Sequence, residues 1–311
     1  MAFLYALPGA VAEGLIWGLM AIGVYISYKI LDIADLTVDG SICTGACVCA
    51  VLLAMGVPAW ISLLAALLVG MLCGVVTGLL HTRLGIPSIL AGILTQLILY
   101  SVNLLILSGK SLLPVDPRAN NLLVHMSNNP RSILAMALIV AATIVVLYLF
   151  FYTQVGLTLK SAGDNPDMSR AQGVDVDRNK VIGLAIANGI VAMAGALLAQ
   201  YKGSANINDG RGAIVIALAA IFIGLSVSLK IKPNFVVSLI GVVSGGIVYY
   251  IVYNFVILLG LKTDYLKMLS AIIVALFLGI PYLKSKYFTK QKDLHPAQII
   301  AQSRKGGSDN A

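Results

Sequence analysis

Ala59-Trp-Ile-Ser-Leu-Leu-Ala-Ala-Leu-Leu-Val-Gly-Met-Leu-Cys-Gly-Val-Val-Thr-Gly-Leu-Leu-His-Thr82 contains no Asp, Glu, Lys or Arg. A helix rises about 1.5 Å per residue and a hydrocarbon core is about 30 Å thick, so about 20 apolar residues make one crossing. The segment reads as a membrane-spanning helix. Comparable stretches extend in both directions from it, at 9–31, 40–56, 87–107, 132–152, 181–201, 212–229, 234–259 and 266–283. The composition agrees. Of 311 residues, 59% are hydrophobic and 11% charged, with a mean hydropathy of +0.95, whereas soluble domains are about 45–50% apolar and about 25% charged. The expectation is an all-α, polytopic transmembrane bundle of about nine helices. Water-soluble enzymes and nucleic-acid binders are excluded, so the net charge of +8 belongs to a membrane topology. Residues 40–56 are short and rich in Gly, Cys and Ala, which marks a broken or partial span.

Basic residues set orientation, because Lys and Arg collect on the cytoplasmic side. With the N-terminus outside, nine crossings place Lys110, Arg118, Arg131, Lys202, Arg211, Lys262 and Lys267 on the outer side and the other two-thirds of the 21 Lys and Arg inside. The bias favours an outside N-terminus and a cytoplasmic C-terminus. Residues 1–283 form the membrane domain. Residues 284–311 begin with Lys284, Lys286, Lys290 and Lys292 and end in Gly, Ser, Asp and Asn, the composition of a basic, disordered tail lying against anionic lipid.

A local pattern occurs twice. Tyr28-Lys29 leads through a short polar link to Asp39-Gly40 and a small-residue helix; Tyr201-Lys202 leads likewise to Asp209-Gly210 and a second one. The topology places the first on the cytoplasmic side and the second on the outer side, which is how an inverted-topology repeat looks in sequence. It pairs helices 1–4 with helices 6–9 and leaves helix 5 as linker.

The longest polar stretch within the membrane domain is 154–180. Asn165-Pro166-Asp167 reads as a helix start, with Asn165 as cap, Pro166 at the first position and Asp167 complementing the dipole. Met168 to Gln172 continue it and Gly173 stops it. A short helix displayed to the cytosol is a docking element. Here the chain resembles a known family. Gly156, Ala162, Gly163, Asn165, Gly173, Val174, Val176 and Lys180, with Ala194-Gly195 beyond them, are similar to the signature loop of the branched-chain amino acid and ribose type of ABC importer permease. Asp35-Leu36-Thr37-Val38-Asp39-Gly40 resembles that family's entry to its second helix, although Asp39 stands where a small residue is expected.

The resemblance implies a permease subunit with no ATPase of its own. It would pair with a second permease copy and receive a small solute from an extracytoplasmic binding protein or lipoprotein. Ala162, Gly163, Asp164, Asn165, Pro166, Asp167, Met168, Ser169, Arg170 and Gly173 would couple it to a cytoplasmic ATPase that uses ATP and Mg²⁺. No cofactor is expected on this chain. Amino acids, aromatic or branched-chain, come first as substrate, with sugars and nucleosides behind. The residues agree that ATP is harvested elsewhere: Ser108-Gly109-Lys110-Ser111 imitates the end of a P-loop, but Leu104 stands where its first Gly is needed.

Polar side chains inside a bilayer are costly and face cavities or partners. Gln96, Tyr100 and Asn103 share one face of helix 4, and Asn188, Tyr250 and Asn254 lie within helices 6 and 8; these six are the candidates for the translocation path, with helix–helix hydrogen bonding as the competing role. Glu13 is the one acidic residue read as lying well within a span, since Asp32, Asp35 and Asp39 fall at a helix end where water is available. The four Cys read as small buried hydrophobes, and the three His show no metal-ligand spacing. The rival function is a self-contained secondary transporter driven by Na⁺ or H⁺, which would have no use for a shaped docking loop.

Overall fold

A computed structural model describes residues 2–115, 122–126, 129–228 and 234–258, together with positions 268, 271, 272, 275 and 279. Within them the chain forms ten α-helices: α1 Ala2–Tyr25, α2 Val38–Ala54, α3 Ala59–Thr82, α4 Ser88–Ile106, α5 Asn129–Phe151, α6 Gln154–Asp164, α7 Pro166–Ala171, α8 Val176–Lys202, α9 Ala213–Ser228 and α10 Phe235–Leu258. The protein is an all-α, multi-pass membrane bundle. Six helices are long and apolar enough to cross a membrane, and two more, α2 and α9, are apolar but shorter. These eight correspond to the first eight predicted spans; the ninth, at 266–283, and the basic tail at 284–311 lie outside the described residues or nearly so. Two short strands, β1 Leu112–Pro114 and β2 Ser204–Asn206, pair antiparallel and tie the link after α4 to the link after α8.

α8 is the axis of the bundle, buried along most of its length. Its neighbours approach closely through glycine. A Cβ on Gly74 would fall on the Leu184 carbonyl, and one on Gly78 would meet Val181, so α3 runs antiparallel to α8 with backbones nearly touching. On the other flank, Gly14 and Gly18 of α1 lie against Ile247 and Val243 of α10 in the same antiparallel sense. α1 itself runs antiparallel to α8, with Gly9 beside Tyr201 and Gly23 beside Ala187 and Val191.

These pairings exchange under one operation. α1, α2 and α3 relate to one another as α8, α9 and α10 do: α1 packs on α10 while α8 packs on α3, and α2 packs on α3 while α9 packs on α10. Because α1 and α8 point in opposite directions, the two halves are inverted. The predicted pairing of helix 4 with 266–283 rests largely on residues outside those described.

α2 does not start at the end of the bundle where α1 stops. After α1 the backbone widens into a π-helical turn at Ile26–Ile30, and Asp32 takes a left-handed φ of 55°. The following link climbs back along α8: Leu31 packs against Gly183, Asp35 bonds Asn188, Ile42 lies on Gly195 and Cys49 bonds Gln200. α2 thus begins beside the middle of α8 and leaves at its C-terminal end, a partial span. Local geometry compensates for the interrupted backbone, as broken helices require.

Candidate functional site

The connector between α5 and α8 is more helical than its polarity predicts. α6 starts at Gln154, ahead of the predicted docking helix, with the Thr153 hydroxyl accepting from the Gly156 amide at 3.3 Å. It alternates a buried side of Gly156, Leu159 and Ala162 with an exposed one. α7 follows after a single residue. The Asn165 side chain accepts from the Met168 amide at 3.0 Å, Pro166 holds the first position, and Gly173 leaves the helix with φ 80°; these are the cap, start and stop expected. The inner side of α7 is fixed to α6 by Ser169, which is buried and bonded to Ser161, oxygen to oxygen, at 2.6 Å. Its outer side displays Met168, 59% exposed, with Arg170 between Asp167 at 3.8 Å and Asp177 at 3.5 Å. Asp164 lies in the last turn of α6. Gly163 sits so tightly on the Ile30 carbonyl and Leu31 that a Cβ has no space. The α6–α7 connector therefore rests on the junction of α1 and the re-entrant link.

That link leads to a buried polar cluster. Asn188 donates to one Asp35 carboxylate oxygen at 2.6 Å, the Thr37 amide donates to the other at 2.9 Å, and Ser41 donates to the Asn188 carbonyl oxygen at 2.6 Å. Hydroxyl contacts continue from Thr37 to Thr77 at 2.7 Å and from Thr77 to Thr95 at 3.0 Å. Four helices meet there: α2, α3, α4 and α8. The expectation that Asp35 sits where water is available is overturned, since it is 2% exposed. Its carboxylate is accommodated because every partner is a donor already in place.

Asp39 performs a different task. Its two oxygens accept from the Gly212 and Ile214 amides, both at 2.9 Å, so a side chain in the first turn of α2 caps the start of α9. Cys43, one turn on, donates to the Ile207 carbonyl at 3.3 Å and accepts from the Gly210 amide at 3.1 Å. The two repeated Asp-Gly stretches, expected on opposite sides, meet at one level within the bundle. The physical reason is that both links re-enter, and each short helix begins with unsatisfied amides that its counterpart can help serve.

Beside this junction is a cavity of about 340 Å³ lined by Asp39, Cys43, Gln96, Tyr100, Asn103 and Arg211, with Leu97 and Ile207. Three of the six predicted path residues, Gln96, Tyr100 and Asn103, are brought together here. The Arg211 guanidinium lies 5.9 Å from the centre of the Tyr100 ring. Asn103 is 1% exposed and its side-chain oxygen has no hydrogen-bond partner among the described residues, a deficit of about 1–3 kcal/mol for a buried acceptor. The other three lie elsewhere. Asn188 belongs to the Asp35 cluster. Tyr250 stacks on Trp17 at 5.8 Å among Tyr249 and Tyr253, and the Asn254 amide donates to the Tyr250 carbonyl of its own helix at 3.1 Å. Arg211 and Asp39 were not among the predicted path residues; the repeated Asp-Gly stretch next to each was the available signal. Among the described residues no group of His, Cys, Asp or Glu is arranged to hold a metal ion, and the four Cys are buried and free.

Residues 9–278 match the model of the family described as the branched-chain amino acid transport system permease component. A tyrosine transport system permease protein of Clostridioides difficile is 37% identical over 86% of this chain and 88% of its own. An uncharacterized protein of Rickettsia prowazekii is 30% identical over 88% and 96%. An autoinducer 2 import system permease protein of Yersinia pseudotuberculosis is 31% identical over 57% of this chain and 51% of its own. No solved structure matches. The fold, the capped helix α7 and the match along nearly the whole membrane domain agree: the chain belongs to the branched-chain amino acid and ribose type of ABC importer permeases.

Proposed function

We propose that this permease forms the translocation path for an amino acid, delivered by an extracytoplasmic binding protein or lipoprotein and driven by a separate cytoplasmic ATPase that binds the ATP and Mg²⁺. The observation that carries the proposal is the construction of α6 and α7. An exposed methionine flanked by Asp167 and Arg170 is presented on a helix whose inner side is fixed by Ser169 and whose base presses on Ile30. Closure of the ATPase subunits would push this element against the α1–α2 link and so move Asp35 and the α2–α9 junction. The tyrosine permease among the relatives supports an amino acid as cargo.

In this reading α7 faces the cytoplasm, the N-terminus lies outside, the C-terminal tail lies inside, and the membrane is the bacterial inner membrane. A second copy of the chain completes the path as a homodimer. The test is retention of the ATPase from the source cytosol by the detergent-solubilised permease, comparing wild type with the triple variant Asn165→Ala, Asp167→Ala, Arg170→Ala. Capture by wild type and loss in the variant is the expected result. Absence of an ATPase under mild conditions, with ion-driven uptake by the chain alone, would replace the proposal with a secondary transporter.

A further inference from the structure

We propose that the cavity between α2, α4 and the start of α9 is a transit seat for the zwitterionic end of an α-amino acid, with Arg211 taking the carboxylate and Asn103, backed by Asp39, taking the ammonium. The proposal rests on the amino-acid reading above and assigns it to atoms.

Three observations converge. Arg211 lines the cavity and has no carboxylate within ion-pair distance among the described residues, while the three ion pairs found use Arg170 and Lys202. Its exposed guanidinium lies 5.9 Å from the centre of the Tyr100 ring, near the outer limit of a cation–π contact, so the fork stays charged, and such a fork suits a carboxylate. Asn103 lines the same cavity, and its amide oxygen is covered and has no donor among the described residues; a turn of the side chain toward the cavity would give that oxygen the substrate ammonium as its donor. Asp39 adds negative charge on that side. Its oxygens accept from the Gly212 and Ile214 amides, with the Ala213 amide also against the carboxylate, which leaves about one of its four acceptor sites for a ligand.

The cavity thus offers one cationic group and one set of acceptors, which is the pattern of a zwitterion. A neutral sugar would leave Arg211 unanswered. The cavity volume of about 340 Å³ lies at the lower end of small-ligand sites, and Leu97 and Ile207 give an apolar wall for a side chain. The location fits passage rather than tight capture, because the seat is built on the two re-entrant links, the part of the fold that α6 presses upon through Ile30.

The test uses the complete transporter, permease with ATPase and binding protein, in proteoliposomes given ATP and a radiolabelled mixture of L-amino acids. Chromatography identifies the amino acid that accumulates. Arg211→Gln and Asn103→Leu are each expected to lower its uptake about tenfold or more, with Arg211→Lys and Asn103→Asp recovering part of it. ATPase retention should stay at the wild-type level in all four. In detergent, without the binding protein, the accumulated amino acid should raise the melting temperature of the wild-type permease at millimolar concentration, whereas its decarboxylated amine and its deaminated acid should not.

Uptake by wild type that survives both Arg211→Gln and Asn103→Leu overturns this inference and leaves the amino-acid reading standing. Wild type that retains its ATPase yet accumulates no amino acid overturns both. If a variant fails to fold, the wild-type melting comparison decides alone: stabilisation by the amine or the acid equal to that by the amino acid overturns the assignment.

Discussion

The Asn188 side chain donates to the Asp35 carboxylate at 2.6 Å across 153 positions of sequence. The contact fixes where the re-entrant link stops climbing and α2 begins. Asn188 is fully buried and its own carbonyl is occupied by Ser41, so both ends of the amide are in use. Asn188→Leu leaves a buried carboxylate facing a methyl group and should cost about 3 kcal/mol. Asp35→Asn removes the charge and keeps the shape but sets an NH2 against one of two donors, and should cost about 1–2 kcal/mol. Heating detergent-solubilised protein and following the monodisperse fraction by fluorescence-detected gel filtration checks the order; equal midpoints for the two variants would contradict it.

Asn165 caps α7 through a bond to the Met168 amide at 3.0 Å, while the ion pairs of Arg170 are solvent-exposed at both partners. Loss of such a cap costs about 1 kcal/mol, and exposed pairs contribute about 0–1 kcal/mol. Asn165→Asp should therefore retain the ATPase in the pull-down, Asn165→Ala should weaken retention by unravelling the first turn, and Met168→Asp should abolish it with the permease melting point unchanged. An ATPase still captured by Met168→Asp would place the docking surface elsewhere.

Much of this architecture is legible in the sequence because a bilayer demands long apolar runs, and the loop signals at Asn165, Pro166 and Gly173 are local chemistry. Asp35 was not legible. Its neighbours Asp32 and Asp39 make it look like part of a solvated helix end; the Thr37 amide reaches it from two residues on, but only the return of the chain along α8 brings Asn188 to it. α6 was masked in the same way, since its buried Leu159 and Ala162 face α8 and the α1–α2 link rather than a periodic apolar core. The grouping of Gln96, Tyr100 and Asn103 followed from helical spacing. Their company with Arg211 needed the tertiary meeting of two links far apart in sequence.

Cys43 differs from the other three Cys in being bonded at both ends of its function, donating to Ile207 and accepting from Gly210. Cys43→Ser keeps a donor and an acceptor in place. Cys43→Val matches the volume but strands a buried backbone amide, at about 1–3 kcal/mol. The melting midpoint should fall in the order wild type, Ser variant, Val variant. A Val variant as stable as wild type would show that the sulfur acts as a hydrophobe alone.

Gly163 is the place where α6 bears on the π-helical turn after α1, and a Cβ there would fall on the Ile30 carbonyl. The face of α7 that carries Met168 lies away from that contact. Gly163→Leu should consequently separate two properties that other loop variants lose together: the ATPase remains bound in the pull-down, while ATP-driven uptake falls about tenfold because the push on the α1–α2 link no longer registers, a loss of about 1.4 kcal/mol in coupling. Gly163→Ala, which asks for a smaller shift, should lie between the two. Parallel loss of binding and uptake would mean that the substitution unfolds α6, and wild-type uptake in the Leu variant would remove Ile30 from the route by which the ATPase moves the path.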